Sequence, residues 1–194
     1  PSFSAMAYFG IATRVSRMVA RWLFDVRVNY LDEQALSAIS KDATVVYVIN
    51  HRSNFDYVLV TYLAAKQSAL SYAVGEWARV WPISWFIRAT GAYFIRRRTP
   101  TPLYRKVLSS YVQRATEAGV SQAVFPEGGL SRNGVIGPPK LGILSYVVDG
   151  WREGKGRDTV FVPVSLNYDR VVEDKVLIAA GRTGKQKFRR SISE

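Results

Sequence analysis

Short apolar runs rich in β-branched and aromatic residues recur along this chain and alternate with helical patterns. The runs lie at Thr44–Ile49 and at residues 69–74, 91–95, 122–125 and 159–166. The helical patterns lie at residues 55–66, 77–89, 101–118 and 140–152. Such strands pair side by side, because each helix carries the chain back across one face of the sheet. The sequence therefore predicts an α/β fold with a central mixed, largely parallel sheet flanked by helices.

The length of 194 residues suits one domain with a substantial core. We expect residues 1–43 to form a basic amphipathic helix and a lead-in to the fold, with a short strand at residues 25–30. Residues 44–180 would form the main domain, and residues 181–194 a basic polar tail at a truncated end. Pro163 predicts an edge position or a bulge for the last strand, because proline cannot donate a ladder hydrogen bond.

Residues 5–24 carry apolar side chains at helical spacing, with arginines on roughly the opposite side. The apolar positions are Ile11, Val15, Met18, Val19, Trp22 and Leu23. The basic positions are Arg14, Arg17 and Arg21. This pattern leaves two possibilities open. The helix packs on the core with its arginines in water, or it lies at an anionic membrane surface with Trp22 and Phe24 near the headgroups.

The charge balance favours anionic partners, since 27 basic and 15 acidic residues give a net charge of +12. Phosphorylated metabolites, coenzymes, lipid headgroups and nucleic acid all meet that description. The absence of cysteine excludes disulfides, cysteine-ligated metals and a thiol nucleophile, and a single histidine excludes a histidine-rich metal site. No apolar run is long enough to predict a membrane-spanning helix, so any membrane contact would be peripheral.

The single histidine, His51, directly follows the strand predicted at Thr44–Ile49, and Asp56 lies five residues later. A pair at this spacing is common by chance, and alone it is more typical of a loop histidine held by a local carboxylate. Across a turn from strand to helix, however, the carboxylate can fold back to the imidazole. Ligands of α/β proteins bind at the carboxyl ends of parallel strands. His51 is therefore the first candidate for a general base.

Three further polar clusters follow later strands, at residues 96–98, 127–132 and 168–170. The paired glycines Gly128 and Gly129 would let backbone amides approach a phosphate beside a guanidinium. Taken singly, the arginine run is typical of a solvated surface and the glycine loop of a turn. Because the carboxyl ends of parallel strands share one edge of a sheet, we expect the clusters to converge near His51.

In order and spacing, these clusters resemble the motif blocks of the glycerolipid acyltransferases, the glycerol-3-phosphate acyltransferase superfamily. The blocks are Asn50-His51-Arg52-Ser53-x-x-Asp56-Tyr57, Gly91-Ala92-Tyr93-Phe94-Ile95-Arg96-Arg97, Phe125-Pro126-Glu127-Gly128-Gly129-x-Ser131-Arg132 and Val160-Phe161-Val162-Pro163-Val164. The resemblance covers residues 44–170. Phe-Ile-Arg-Arg and Glu-Gly-Gly are similar to the branch that acylates glycerol 3-phosphate or dihydroxyacetone phosphate. Leu130 departs from the pattern, because many members carry arginine there.

The resemblance implies a membrane-associated enzyme of phospholipid biosynthesis, with residues 44–180 as its acyltransferase catalytic domain. It would move a fatty acyl group from acyl-CoA or acyl-carrier protein to the sn-1 hydroxyl of glycerol 3-phosphate, giving lysophosphatidic acid, without a cofactor or metal. The enzyme would bind peripherally to the cytoplasmic face of the cell membrane. Acylation of dihydroxyacetone phosphate or of a lysophospholipid stays open as an alternative. A non-catalytic basic module for membranes or nucleic acid is more remote, because no nucleic-acid-binding motif is present.

The resemblance also implies roles for individual residues. His51 would act as the general base, and Asp56 would orient it. The residues expected to contact glycerol 3-phosphate are Arg96, Glu127, Gly128, Ser131 and Arg132. Among these, Glu127 and Gly128 would shape the loop or hold the glycerol hydroxyls. The weaker candidates are Arg97 and Lys140 for phosphate or coenzyme contacts, and Pro163 would line the acyl channel.

Overall fold

A computed structural model describes residues 6–64, 70–75, 91–95, 101–131, 134–151 and 156–171. Its strands are β1 (Thr44–Ile49), β2 (Ser71–Gly75), β3 (Tyr93–Ile95), β4 (Gln122–Val124) and β5 (Thr159–Val164). They form one five-stranded sheet in the order β3-β2-β4-β1-β5. Every pairing in the described part of the sheet is parallel. The predicted α/β class is confirmed, and all these carboxyl ends therefore share one edge.

Of the described helices, three lie between strands, as the alternating pattern predicts, and two precede the first strand. The described helices are α1 (Thr13–Leu23), α2 (Glu33–Ser37), α3 (Asp56–Ala64), α4 (Pro102–Glu117) and α5 (Gly142–Gly150), and a π-helical segment, Met6–Ala12, leads into α1. α4 begins where the Thr101 hydroxyl accepts a hydrogen bond from the Tyr104 amide at 3.2 Å, with Pro102 as its first residue. The helix predicted at residues 77–89 and the segment at residues 172–180 lie outside the described residues.

The sheet is covered on both faces, because successive side chains of a strand point to opposite sides. Ile49 of β1 packs with Val60 of α3 in one buried cluster. Val46, three residues earlier on β1, packs in a second cluster with Val112 of α4 and Val147 of α5. Burial of each such side chain contributes about 1.5–3 kcal/mol. Helix α3 therefore covers one face of the sheet, and α4 and α5 cover the other face. Helix α1 packs against α3.

β5 is an edge strand that pairs with β1 along its whole length, from Thr44 opposite Thr159 to Ile49 opposite Val164. Pro163 therefore lies in an edge strand, as predicted, where a missing donor on the open side costs no ladder hydrogen bond.

The strand predicted at residues 25–30 is wrong, because this segment is irregular and mostly exposed. Arg27 instead pairs with Asp25 in solvent at 3.0 Å, and no described strand lies alongside the segment. An alternating pattern makes a strand only where a sheet edge is available to pair with it. The division into residues 1–43, 44–180 and 181–194 stays a prediction.

The face of α1 that packs is not its apolar stripe. The buried residues of the N-terminal helical region are small or polar, apart from the tyrosine of the π-helical segment: Tyr8, Ala12, Thr13, Ser16 and Ala20. The large apolar side chains Ile11, Val15, Met18 and Trp22 are exposed, together with Arg14, Arg17 and Arg21. Small residues allow α1 to approach α3 closely, and the apolar stripe is left on the surface.

Tyr8 anchors this region, because its fully buried hydroxyl accepts a hydrogen bond from the amide of Leu70 at 3.1 Å. Burial raises the pKa of Tyr8 to about 12, so the hydroxyl stays neutral in this contact.

Within the described ranges, no helix has the length and the apolar character that crossing a bilayer requires.

Candidate active site

His51 and Asp56 meet at the carboxyl edge of the sheet. His51 follows β1, Asp56 opens α3, and the imidazole Nδ1 lies 2.8 Å from Asp56 Oδ2. The histidine side chain is 4% exposed and the aspartate side chain 0% exposed. The contact that the five-residue spacing predicts is therefore present, in a place largely shielded from water.

The turn between β1 and α3 is folded around the Asp56 carboxylate. Oδ2 accepts hydrogen bonds from the amides of Arg52 at 2.7 Å and Ser53 at 3.1 Å. The Ser53 hydroxyl accepts from the amide of Phe55 at 3.1 Å, at the start of α3. A buried carboxylate requires donors of this kind, and a negative charge in the first turn of a helix is favourable. The local sequence thus fixes the carboxylate and the imidazole together.

The ring of His51 is held in a defined plane by two aromatic neighbours. Its centroid lies 4.6 Å from that of Phe125 and 5.5 Å from that of Tyr57. With a carboxylate at Nδ1, that nitrogen carries the proton and donates it, so Nε2 carries the lone pair. This arrangement can take a proton from a hydroxyl at Nε2.

Glu127 links the β1–α3 turn to the connection between β4 and α5, of which residues 125–131 and 134–141 are described. Its Oε1 accepts from the amide of His51 at 2.8 Å, and its Oε2 accepts from the amide of Gly137 at 3.2 Å. The carbonyl of His51 in turn accepts from the amide of Ser131 at 2.9 Å. Of the two roles predicted for Glu127, the geometry therefore favours shaping the loop.

Gly128 and Lys140 lie against each other in the same connection. Gly128 has a φ of +66°, and a Cβ atom there would lie 2.9 Å from Cδ of Lys140. The amide of Lys140 donates to the carbonyl of Pro126 at 2.7 Å. The lysine stem therefore crosses the glycine, which brings a positive charge to the loop that holds His51. Glycine suits this position because of both its backbone conformation and the close approach.

The structure brings part of the predicted site to one edge. The predicted residues gathered there are His51, Asp56, Glu127, Gly128, Ser131 and Lys140. The hydroxyl of Ser131 donates to the carbonyl of Val135 at 2.8 Å, so it is engaged within its own loop. Pro163 is exposed on β5, opposite Val48, and its role in an acyl channel stays a prediction. Arg96, Arg97 and Arg132 lie outside the described residues, and their phosphate contacts also stay predictions.

Three residues of the site lie in motif blocks or clusters that the sequence pointed to, but the sequence assigned them no individual role. Arg52, inside the first motif block, donates from its guanidinium to the carbonyl of Gly134. Asn50 forms two hydrogen bonds with the backbone of Leu166, at 2.9 and 2.6 Å. Tyr168 donates from its hydroxyl to Asp56 Oδ1 at 2.7 Å. The available signal was position, since all three lie within a few residues of the carboxyl end of β1 or β5.

The part of the chain that the structure describes contains no cluster of three or more histidine, aspartate or glutamate side chains placed to hold a metal ion. The described site contains a buried histidine–aspartate pair, with positive charge nearby at Arg52 of the β1–α3 turn and at Lys140 of the β4–α5 connection.

Curated proteins named glycerol-3-phosphate acyltransferase are similar to this chain. The protein from Pseudoalteromonas atlantica is 36% identical over 132 residues, which cover 66% of this chain and 16% of that protein. The one from Pasteurella multocida is 33% identical over 167 residues, or 82% of this chain and 21% of that protein. The one from Pseudomonas fluorescens is 31% identical over 191 residues, or 94% and 23%. The chain thus spans about a fifth of the length of these relatives.

Among solved structures, the chain resembles the crystal structure of the 1-acyl-sn-glycerophosphate (LPA) acyltransferase, PlsC, from Thermotoga maritima. The TM-score is 0.54 at 20% sequence identity, and the match covers 96% of this chain and 81% of that one. At this identity the likeness shows a shared fold. A family model described as Acyltransferase matches residues 28–167, which include the β1–α3 turn and the loop after β4. Because that match spans most of the chain together with the His51–Asp56 pair, the chain belongs to the acyltransferase family.

Proposed function

We propose that this chain carries the catalytic domain of a glycerol-3-phosphate 1-O-acyltransferase. The observation that carries the proposal is the buried contact between His51 and Asp56 inside the family match. The printed names of the similar curated proteins support glycerol 3-phosphate as the acceptor. The product is lysophosphatidic acid, and the donor is a fatty acyl thioester of CoA or of acyl-carrier protein.

The geometry supports direct transfer from the thioester to the hydroxyl. Nε2 of His51 takes the proton of the sn-1 hydroxyl as that oxygen attacks the thioester carbonyl. Asp56 stabilises the imidazolium that forms, through its contact with Nδ1. The tetrahedral intermediate collapses, the carbon–sulfur bond breaks, and the leaving thiolate takes the proton back from Nε2. The acyl group passes directly to the acceptor oxygen, and His51 ends in its starting state.

The phosphate of the acceptor is proposed to bind beside the loop after β4. Guanidinium groups suit a dianionic phosphate, because they offer two parallel donors where an ammonium acts as a point charge. We assign this role to Arg96 and Arg132, with Arg97 and Lys140 as weaker contributors. Ser131 joins them in this proposal by turning its hydroxyl from the carbonyl of Val135 to the phosphate. Glu127 and Gly128 shape the loop in this proposal. Arg52 joins the set, since its guanidinium already contacts the carbonyl of Gly134 on that connection.

The enzyme is further proposed to work peripherally at an anionic membrane surface. The exposed apolar stripe of α1 supports this, since it lies beside three exposed arginines on the same helix. The net charge of +12 favours the cytoplasmic leaflet, whose surface potential is negative. Phe24 has a different place from the one expected at the headgroups, because its ring packs against Phe55 at 6.0 Å and Tyr168 at 5.4 Å.

An acceptor panel tests the proposed reaction. The purified protein is incubated with palmitoyl-CoA and, separately, glycerol 3-phosphate, dihydroxyacetone phosphate or a lysophosphatidic acid. Release of the CoA thiol is followed with a thiol reagent, to which this cysteine-free chain adds no background. We expect saturable release with glycerol 3-phosphate and lysophosphatidic acid as the product. Saturation with only one of the other acceptors would identify that compound as the substrate instead. If no acceptor increases thiol release, the proposed function is contradicted.

A further inference from the structure

We propose that Tyr168 is a positioning residue, which sets the orientation of the Asp56 carboxylate against the imidazole of His51. This inference rests on the proposed function, in which that carboxylate serves the general base. Tyr168 lies just past the family match, which ends at residue 167. Its hydroxyl donates to Asp56 Oδ1 at 2.7 Å, across 112 residues of sequence.

The two oxygens of Asp56 have different partners. Oδ2 accepts from Nδ1 of His51 and from the amides of Arg52 and Ser53. Among the described residues, Oδ1 receives its donor from Tyr168. The terminal torsion of an aspartate has broad minima, so hydrogen bonds set the plane of its carboxylate. A donor at Oδ1 keeps Oδ2 directed at Nδ1.

Without the Tyr168 hydroxyl, a fully buried carboxylate oxygen would lose its donor. The carboxylate would then rotate to share the two backbone amides between its oxygens, because an unsatisfied buried charge is costly. Rotation moves Oδ2 away from Nδ1. The imidazole would then populate both neutral tautomers, and the one protonated at Nε2 cannot accept a proton from the hydroxyl.

The position of Tyr168 is fixed by contacts from other elements. The side-chain nitrogen and oxygen of Asn50 both form hydrogen bonds with the backbone of Leu166, and these bonds join the segment after β5 to the end of β1. Phe24, which follows α1, packs edge-on against the Tyr168 ring with a centroid distance of 5.4 Å. The hydroxyl thus approaches Asp56 from a segment outside the β1–α3 turn that is held by contacts with β1 and Phe24.

A purely structural role for Tyr168 is the competing explanation, since the ring also packs against the buried cluster around Ile49. The variant Tyr168→Phe separates the two, because it keeps the ring and removes only the hydroxyl. A structural role alone would lower stability and leave the folded site unchanged. A positioning role would change the state of the imidazole and the turnover of the folded protein.

Nuclear magnetic resonance reports the state of the imidazole without requiring turnover. The chain has one histidine, so ¹⁵N-histidine labelling reports on His51 alone. At a pH high enough to deprotonate the ring, we expect the wild type to show the nitrogen shifts of the tautomer protonated at Nδ1. In Tyr168→Phe we expect the two shifts to move towards each other as tautomers mix. The control Tyr111→Phe alters a half-buried tyrosine that packs on Tyr93 at 5.1 Å, and it should leave both shifts unchanged.

Steady-state kinetics measure the effect on turnover. We expect Tyr168→Phe to lower kcat about tenfold, as for loss of a hydrogen bond to a charged group, with both KM values unchanged. In an Asp56→Asn background the same change should have no further effect, because Tyr168 acts through the carboxylate. Unchanged imidazole shifts, or independent effects in the two backgrounds, would overturn the proposal. Failure of the wild type to turn over would contradict the proposed function instead, while the imidazole shifts would still test the role of Tyr168.

Discussion

At the scale of single residues, Asp56 connects more of the site than any local motif implies. Its carboxylate organises its own turn through two backbone amides, holds Nδ1 of His51, and receives the hydroxyl of Tyr168. The charge is buried but fully satisfied, which is the condition under which such a group is tolerated. One side chain thus sets both the shape of the turn and the tautomer of His51.

Replacing this carboxylate with an amide tests whether it sets the tautomer of His51. We expect Asp56→Asn to lower kcat on the order of 10³-fold, because an amide nitrogen cannot accept from Nδ1–H and the imidazole changes tautomer. Steady-state thiol release at saturating substrates measures the loss. A fall of less than about tenfold would show that the pair does not act as base and orienter.

Glu127 allows a separate test of loop shape. Both of its carboxylate oxygens accept hydrogen bonds from backbone amides. In Glu127→Gln, the side-chain nitrogen replaces one of these oxygens, and it cannot accept the hydrogen bond from that amide. We expect the free energy of unfolding to fall by about 1–2 kcal/mol, measured by urea denaturation. The control Glu117→Gln removes the same charge at the exposed end of α4 and should change it little. Equal effects of the two changes would mean that the loop contacts contribute nothing.

At the scale of elements, α1 presents the clearest surface feature. It packs through small and polar residues, while Trp22 is 82% exposed and Met18 is 65% exposed beside arginines. A helix with this arrangement suits the interface of an anionic bilayer, where the apolar side chains enter the acyl boundary and the arginines remain at the headgroups.

Vesicle binding tests that surface directly. We expect Trp22→Ser to weaken co-sedimentation with phosphatidylglycerol vesicles at least about tenfold, from the apolar area that no longer enters the lipid. Leu103→Ser is the matched control, since Leu103 is 74% exposed on α4, outside the stripe. Raising the salt concentration should weaken wild-type binding by screening the arginines. Equal binding of Trp22→Ser and the wild type would remove α1 from the membrane contact.

The elements also show what a sequence can and cannot predict. β1 forms at the predicted residues because Thr44–Ile49 is a continuous apolar run flanked by turns. The strand expected at residues 25–30 does not form, since pairing depends on an available sheet edge that local pattern cannot supply. The sequence pattern also left open whether the apolar stripe of α1 packs on the core. Packing against α3 uses the small residues Ser16 and Ala20 instead, which a hydrophobicity pattern does not identify.

At the scale of the whole molecule, the parallel sheet joins contacts of very different sequence separation. The His51–Asp56 contact spans five residues and could be predicted from spacing. The contact between Glu127 and the His51 amide spans 76 residues, and the one between Tyr168 and Asp56 spans 112. Convergence at one edge followed from the α/β pattern, but the identity of each partner depends on strand order, which places β1 between β4 and β5.

The central claim is that His51 is the general base for acylation of glycerol 3-phosphate, and its removal tests that claim most directly. The measurement is the initial rate of CoA thiol release from palmitoyl-CoA at saturating glycerol 3-phosphate, for the wild type, His51→Ala and the control Tyr111→Phe. We predict that His51→Ala lowers the rate on the order of 10³-fold, with a folded protein by circular dichroism, while the control retains wild-type activity. A rate for folded His51→Ala close to that of the wild type would contradict the account.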